Sequence, residues 1–124
     1  MKFRILGCGS AGGVPMISKG WGKCDPNNPK NRRLRTSLLL QHHDMNVLFD
    51  SGPDLREQLL AAQIKSLDAV LYTHEHADHT HGIDDLREIN RAMMKSVPVY
   101  ANFTTLNLLK ERFGYVFRPV NIDK

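Results

Sequence analysis

Cysteine is scarce: only Cys8 and Cys24 occur in 124 residues. That is too few for the dense disulfide framework of a small secreted scaffold, and a reducing cytoplasm is the expected location. No apolar run approaches the ~20 residues needed to span a bilayer, so no membrane partner is expected. The start, Met1-Lys2-Phe3-Arg4-Ile5-Leu6-Gly7, has charge inside its short apolar stretch and lacks the apolar centre of a secretion signal. Repeats, low-complexity tracts and interdomain linkers are also missing. One domain over residues 1–124 is therefore expected, because this length suits a single core.

The residues that are present describe a globular protein, with 41% hydrophobic and 24% charged side chains. The formal charge of +4 is modest. Much of it comes from Lys19, Lys23, Lys30, Arg32, Arg33 and Arg35, so the positive field is local to one polar stretch. It favours anionic partners without singling out nucleic acid.

Phe3, Ile5 and Leu6 lead into a glycine cluster at residues 7–13, which reads as a first strand running into a tight loop. Residues 18–35 show no apolar period and read as a long loop. Residues 36–41 and 46–50 predict a hairpin turning at His42-His43-Asp44-Met45, where both histidines belong to the turn. Pro53 fits a first helical position, and the spacing of Leu55, Leu59, Leu60 and Ile64 predicts a first helix of about three turns. Residues 69–72 form the next buried strand. A second helix follows from Ile83, Leu86, Ile89, Asn90 and Met93, and residues 97–101 form a strand near Pro98. Thr105, Leu106, Leu109 and Phe113 trace a third helix that Gly114 ends. This alternation predicts an α/β layer structure.

The chemistry is concentrated in Thr73-His74-Glu75-His76-Ala77-Asp78-His79. His74 and His76, two residues apart just after a strand, send their imidazoles to the same side of an extended chain. Asp78 and His79 follow where the chain turns towards a helix, so their donor atoms can serve a neighbouring position. Imidazole and carboxylate without thiolate suit Zn²⁺ first, with Mn²⁺ or Fe also acceptable, and do not suit an all-oxygen Ca²⁺ or Mg²⁺ cage. Two such ions about 3.5–4 Å apart can share a hydroxide, which predicts hydrolysis. His81 stands outside the pattern and reads as an ordinary surface histidine.

His74-x-His76-x-Asp78-His79 with Gly82 resembles the HxHxDHxxG signature of metallo-β-lactamase-fold hydrolases, and Phe49-Asp50-Ser51-Gly52 is similar to their strand-end Asp-x-Gly element. Residues 7–15, with the loop and hairpin that follow, resemble the opening of the PhnP-like phosphodiesterase branch. The resemblance implies a fold that is the amino-terminal half of an αββα sandwich, a mixed sheet with helices on one face. It further implies that His74 and His76 bind one metal and that Asp78 and His79 bind a second. Asp78 and Asp50 become the candidate catalytic carboxylates, with Asp50 orienting a ligand from behind; the alternative for Asp50 is a helix cap before Pro53. The glycine loop either lines the rim of the site near a phosphate or is a plain strand exit.

Two departures from that family bear on function. The first long loop holds only Cys24 where the branch often has a cysteine cluster, so no structural zinc is expected; Cys8 reads as buried packing rather than a nucleophile. No histidine follows His81, and Asp123 is the only aspartate after Asp85, whereas the family completes its site from a second αβ half. The resemblance thus implies a fragment or truncated form with one sheet face exposed and prone to self-association. The expected activity is that of a phosphodiesterase acting on a small cyclic phosphate or nucleotide. A ribonuclease resembling the tRNA 3′-processing enzymes is the alternative, and an incomplete half that only binds metal or ligand is the third.

Overall fold

Leu-rich runs on either side of His43-Asp44 fold into a hairpin, with β2 (Ser37–His42) and β3 (Met45–Phe49) pairing antiparallel. The structure is a computed structural model that describes residues 1–119. β1 (Lys2–Gly7) pairs antiparallel with the other side of β2. β4 (Ala69–Leu71) and β5 (Val99–Tyr100) add to β3 in parallel, giving a mixed sheet in the order β1-β2-β3-β4-β5.

Parallel neighbours need a crossover, and helices supply it. α1 (Leu55–Ala62) links β3 to β4. The one-turn α2 (Ala77–Thr80), a 3-10 turn at Ile83–Asp85 and α3 (Leu86–Met93) link β4 to β5. α4 (Phe103–Arg112) follows, its first turn capped by the Asn102 side chain, which accepts from the Thr105 N–H at 2.8 Å. Buried Leu39, Leu48 and Val70 of the sheet share one core with Leu55 and Leu59 of α1, Leu86 and Ile89 of α3 and Leu109 of α4. The helices therefore cover one face, as the resemblance implies.

Strand register makes the opposite face apolar as well. Ile5, Leu38, Phe49, Leu71 and Tyr100 lie in one row across all five strands, and Phe3, Leu40, Val47 and Ala69 form the next row. Along a strand, successive side chains alternate faces, so both rows point away from the buried Leu39-Leu48-Val70 row. Phe3 is 59% exposed, Ile5 69% and Tyr100 57%.

Several element ends differ from the periodicity. α1 begins at Leu55 rather than Pro53, because Asp54 makes no side-chain cap; its carboxylate instead holds Arg35, accepting from the backbone N–H at 2.8 Å and facing Nε at 2.9 Å. Gln63 adopts a left-handed conformation and stops the helix before Ile64. The strand expected over residues 97–101 shrinks to two residues, and the Val97 N–H is taken by Asn90 Oδ1 at 2.9 Å. Cys8 is exposed rather than buried, its Sγ accepting from Arg33 Nη1 at 3.0 Å, and Asp123 lies outside the described residues.

The glycine loop packs against backbone. A Cβ on Gly7 would collide with the Arg35 carbonyl, and one on Gly9 would come within 2.8 Å of the Arg33 and Leu34 carbonyls. The Gly9 N–H is spent on Leu34 O at 2.7 Å. Close approach of two chain segments thus accounts for these two glycines, which is the strand-exit reading.

Candidate metal centre

β3 and β4 end side by side, and the segments leaving them are fastened to each other. Asp50 N–H donates to Leu71 O at 2.9 Å, Ser51 N–H to His79 O at 2.8 Å, and Gly82 N–H to Ser51 O at 2.8 Å. The approach is so close that a Cβ on Gly82 would collide with the Gly52 carbonyl, and one on Gly52 with the Asp78 carbonyl. Glycine at both positions is a steric requirement.

The histidine segment leaves β4 extended and then winds into α2. The buried Thr80 hydroxyl tightens this turn by donating back to the His76 carbonyl at 3.0 Å and the Glu75 carbonyl at 3.2 Å. The turn gathers the expected side chains. The ring centroids of His74 and His76 are 4.5 Å apart, those of His74 and His79 are 4.2 Å apart, and Asp78 Oδ2 lies 3.3 Å from His79 Nε2.

Asp50 sits behind them, 2% exposed and in a left-handed backbone conformation, φ 63°. That conformation costs a non-glycine residue on the order of 1 kcal/mol, although Asp tolerates it better than most. Its carboxylate accepts from the Thr73 N–H at 2.8 Å and the Thr73 hydroxyl at 2.7 Å, and meets His79 Nδ1 at 2.7 Å. Asp50 therefore buttresses the histidine turn and does not cap α1. Ser51, fully buried, hydrogen-bonds the Tyr72 hydroxyl. Burial raises the Tyr72 phenol above its ordinary pKa; the Ser51 bond opposes the shift and the Asp50 charge reinforces it.

The donor set fits a divalent cation of the zinc type. The span from His79 Nε2 to Asp78 Oδ2, 3.3 Å, matches the roughly 3.3 Å edge between two ligands of a tetrahedral ion at ~2.0–2.1 Å. Among the described residues, no three His, Cys, Asp or Glu side chains yet enclose a cation. His81 turns away, its ring 5.5 Å from that of Phe113, and His42 and His43 pack on each other at the hairpin turn, 4.3 Å apart. Sequence reasoning assigns no role to Thr73, Ser51 or Tyr72. The only signal for Thr73 is a hydroxyl directly before the first histidine.

Residues 45–123 match the family described as the beta-lactamase superfamily domain, and the chain belongs to that family. Within it, the chain has the amino-terminal portion of the metallo-β-lactamase fold. It is similar to a diphosphatase of the PhnP family, 41% identical with a TM-score of 0.82, over 93% of this chain and 46% of that structure. The zinc-bound PqqB of Methylobacterium extorquens is 25% identical with a TM-score of 0.75, over 99% of this chain and 44% of that one. Among curated relatives, a protein of Porphyromonas gingivalis named octanoyltransferase is 42% identical over 95% of this chain but only 24% of its own length. A ribonuclease Z of Archaeoglobus fulgidus is 28% identical over 93% of this chain and 35% of its own. The chain thus spans less than half of each of these proteins.

Proposed function

We propose that this chain carries the amino-terminal half of a metal-dependent hydrolase site, that of a phosphodiesterase acting on a small cyclic phosphate or nucleotide. The observation that carries the reading is the convergence of His74, His76, Asp78 and His79 at one strand end, with Asp50 fastening them from behind. Similarity to a PhnP-family diphosphatase supports phosphorus chemistry. His74 and His76 would hold one cation, Asp78 and His79 another. Two divalent ions, Zn²⁺ first and Mn²⁺ second, would supply activated water and neutralise phosphoryl oxygens. Asp78 is the proposed catalytic carboxylate. Asp50, buried with both oxygens engaged, is a positioning residue that acts through His79 and Thr73. The basic stretch around Arg32 and Arg33 would draw in the anion.

Zinc stoichiometry and hydrolysis of bis(p-nitrophenyl) phosphate test the reading, measured on this chain and on any longer protein containing it. Zinc bound in the longer protein, with chelator-sensitive turnover, is expected. Absence of both metal and turnover there would falsify the hydrolase reading. Among the described residues the chain offers four candidate ligands for two ions, so weak metal binding with little turnover is expected of it.

A ribonuclease reading is favoured by the similarity to ribonuclease Z. Contact with many phosphates would make RNA binding fall steeply with salt, whereas a small cyclic phosphate would bind with a shallow dependence. The proposed compartment is the cytoplasm, supported by Cys8 and Cys24 being free thiols; among the described residues no helix is long and apolar enough to cross a membrane. Self-association through the bare sheet face is also proposed. Sedimentation should show a concentration-dependent dimer that Ile5→Lys abolishes; a strictly monomeric chain at ~100 μM, weaker than typical specific pairs, would exclude it.

A further inference from the structure

The hydrogen bonds behind the histidines specify where their protons sit. A carboxylate only accepts, and a threonine hydroxyl has one proton to give. Thr73 gives that proton to Asp50 Oδ2 at 2.7 Å. Its contact with His74 Nδ1 at 2.9 Å therefore requires the hydroxyl oxygen to accept and the ring nitrogen to donate. His79 Nδ1, 2.7 Å from the same Asp50 oxygen, must likewise donate. In a neutral imidazole an Nδ1–H leaves Nε2 as the bare lone pair, which is the arrangement at His74. His79 Nε2 faces Asp78 Oδ2 at 3.3 Å, so at that ring the hydrogen bonds assign the Nδ1–H alone.

We propose that Thr73 is a positioning residue: it relays the charge of Asp50 to His74, so that one buried carboxylate places the Nδ1–H of two histidines, His79 directly and His74 through the hydroxyl. His76 provides an internal comparison, because its ring has no hydrogen-bond partner among the described residues. The role of that lone pair in metal binding rests on the proposed function. The tautomer assignment rests only on the hydrogen bonds.

The test combines Thr73→Val, Thr73→Ser and the unaltered chain. Nitrogen-15 spectra of the metal-free imidazoles at pH 8 report the tautomer at each ring, and competition with a chromogenic chelator reports zinc affinity. His74 and His79 should both show protonated Nδ1, while His76 shows a mixture. Thr73→Val, nearly the same shape, should move His74 towards the Nε2–H form, leave His79 unchanged and weaken zinc about ten-fold, the lower end for loss of a ligand's supporting bond. Thr73→Ser should restore both readouts. Protonated Nε2 on His74 in the unaltered chain, or a Thr73→Val variant with unchanged His74 spectrum, overturns the inference. If the tautomers behave as stated but a longer protein containing this chain binds no zinc, the hydrolase reading fails and the relay stands.

Discussion

Two irregular stretches of this chain, both rich in glycine and polar residues, behave in opposite ways. The corner formed by Asp50-Ser51-Gly52 against residues 71–82 buries Asp50, Ser51 and Thr80 and joins backbone across a separation of about thirty residues, as in Ser51 N–H to His79 O. The first long loop bonds mainly to itself over short range, as in Gly22 to Lys19, Cys24 to Trp21 and Asn31 to Asn28. It is held at its stem by Gly9 to Leu34 and by the reciprocal Val14–Arg33 pair. Irregular backbone can hold a site rigidly only where its polar groups are buried and satisfied by distant partners. The corner meets that condition, and the loop does not.

Substitutions should sharpen the contrast, beginning where the corner is tightest. Gly82→Ala forces a methyl group onto the Gly52 carbonyl, where no flexible side chain can yield. A loss of about 3 kcal/mol or more is expected in urea unfolding, the upper range for overpacking. A loss below about 0.5 kcal/mol, typical of surface sites, would show that the two segments are free to separate. Asp50→Asn comes next. Asn tolerates the left-handed backbone, so the change isolates the charge. Losing a buried acceptor of three bonds should cost about 2–3 kcal/mol and weaken zinc about ten- to a hundred-fold in a chelator competition.

Tyr72 gives a smaller effect with a pH signature. Its raised pKa means that the folded state keeps the phenolic proton more tightly than the unfolded chain does. The associated stability is fully present below pH ~10 and falls above it by about 1.4 kcal/mol per pH unit. Tyr72→Phe should remove that alkaline slope and cost about 1–2 kcal/mol at neutral pH by leaving the Ser51 hydroxyl unpaired; an unchanged slope points to another group. The smallest effect belongs to the loop. Arg32 sits 6.0 Å from the Trp21 ring on the exposed surface, and Arg32→Ala should cost no more than about 0.5 kcal/mol. A thermal shift as large as that of Tyr72→Phe would end the contrast between the two regions.

Much of this was legible in order and spacing. Periodicity places the hairpin, the three principal helices and the two strands that follow the hairpin, and the residue types at positions 74, 76, 78 and 79 declare their chemistry before any fold is known. Element ends were less legible, because they depend on who takes a polar group. Asp54 turns to Arg35 instead of capping α1, and Asn90 takes the Val97 N–H. No local pattern encodes those choices.

The chain's own sequence determined the α/β class and the clustering of imidazole and carboxylate at one strand exit, since both follow from contacts a few residues apart. Tertiary structure alone decided that Asp50 reaches Thr73 and His79, that Gly82 must lie against Gly52, and which rows of side chains form the bare face of the sheet. These depend on where separate segments meet in space, and hydrophobic strands read the same whether or not anything lies across them.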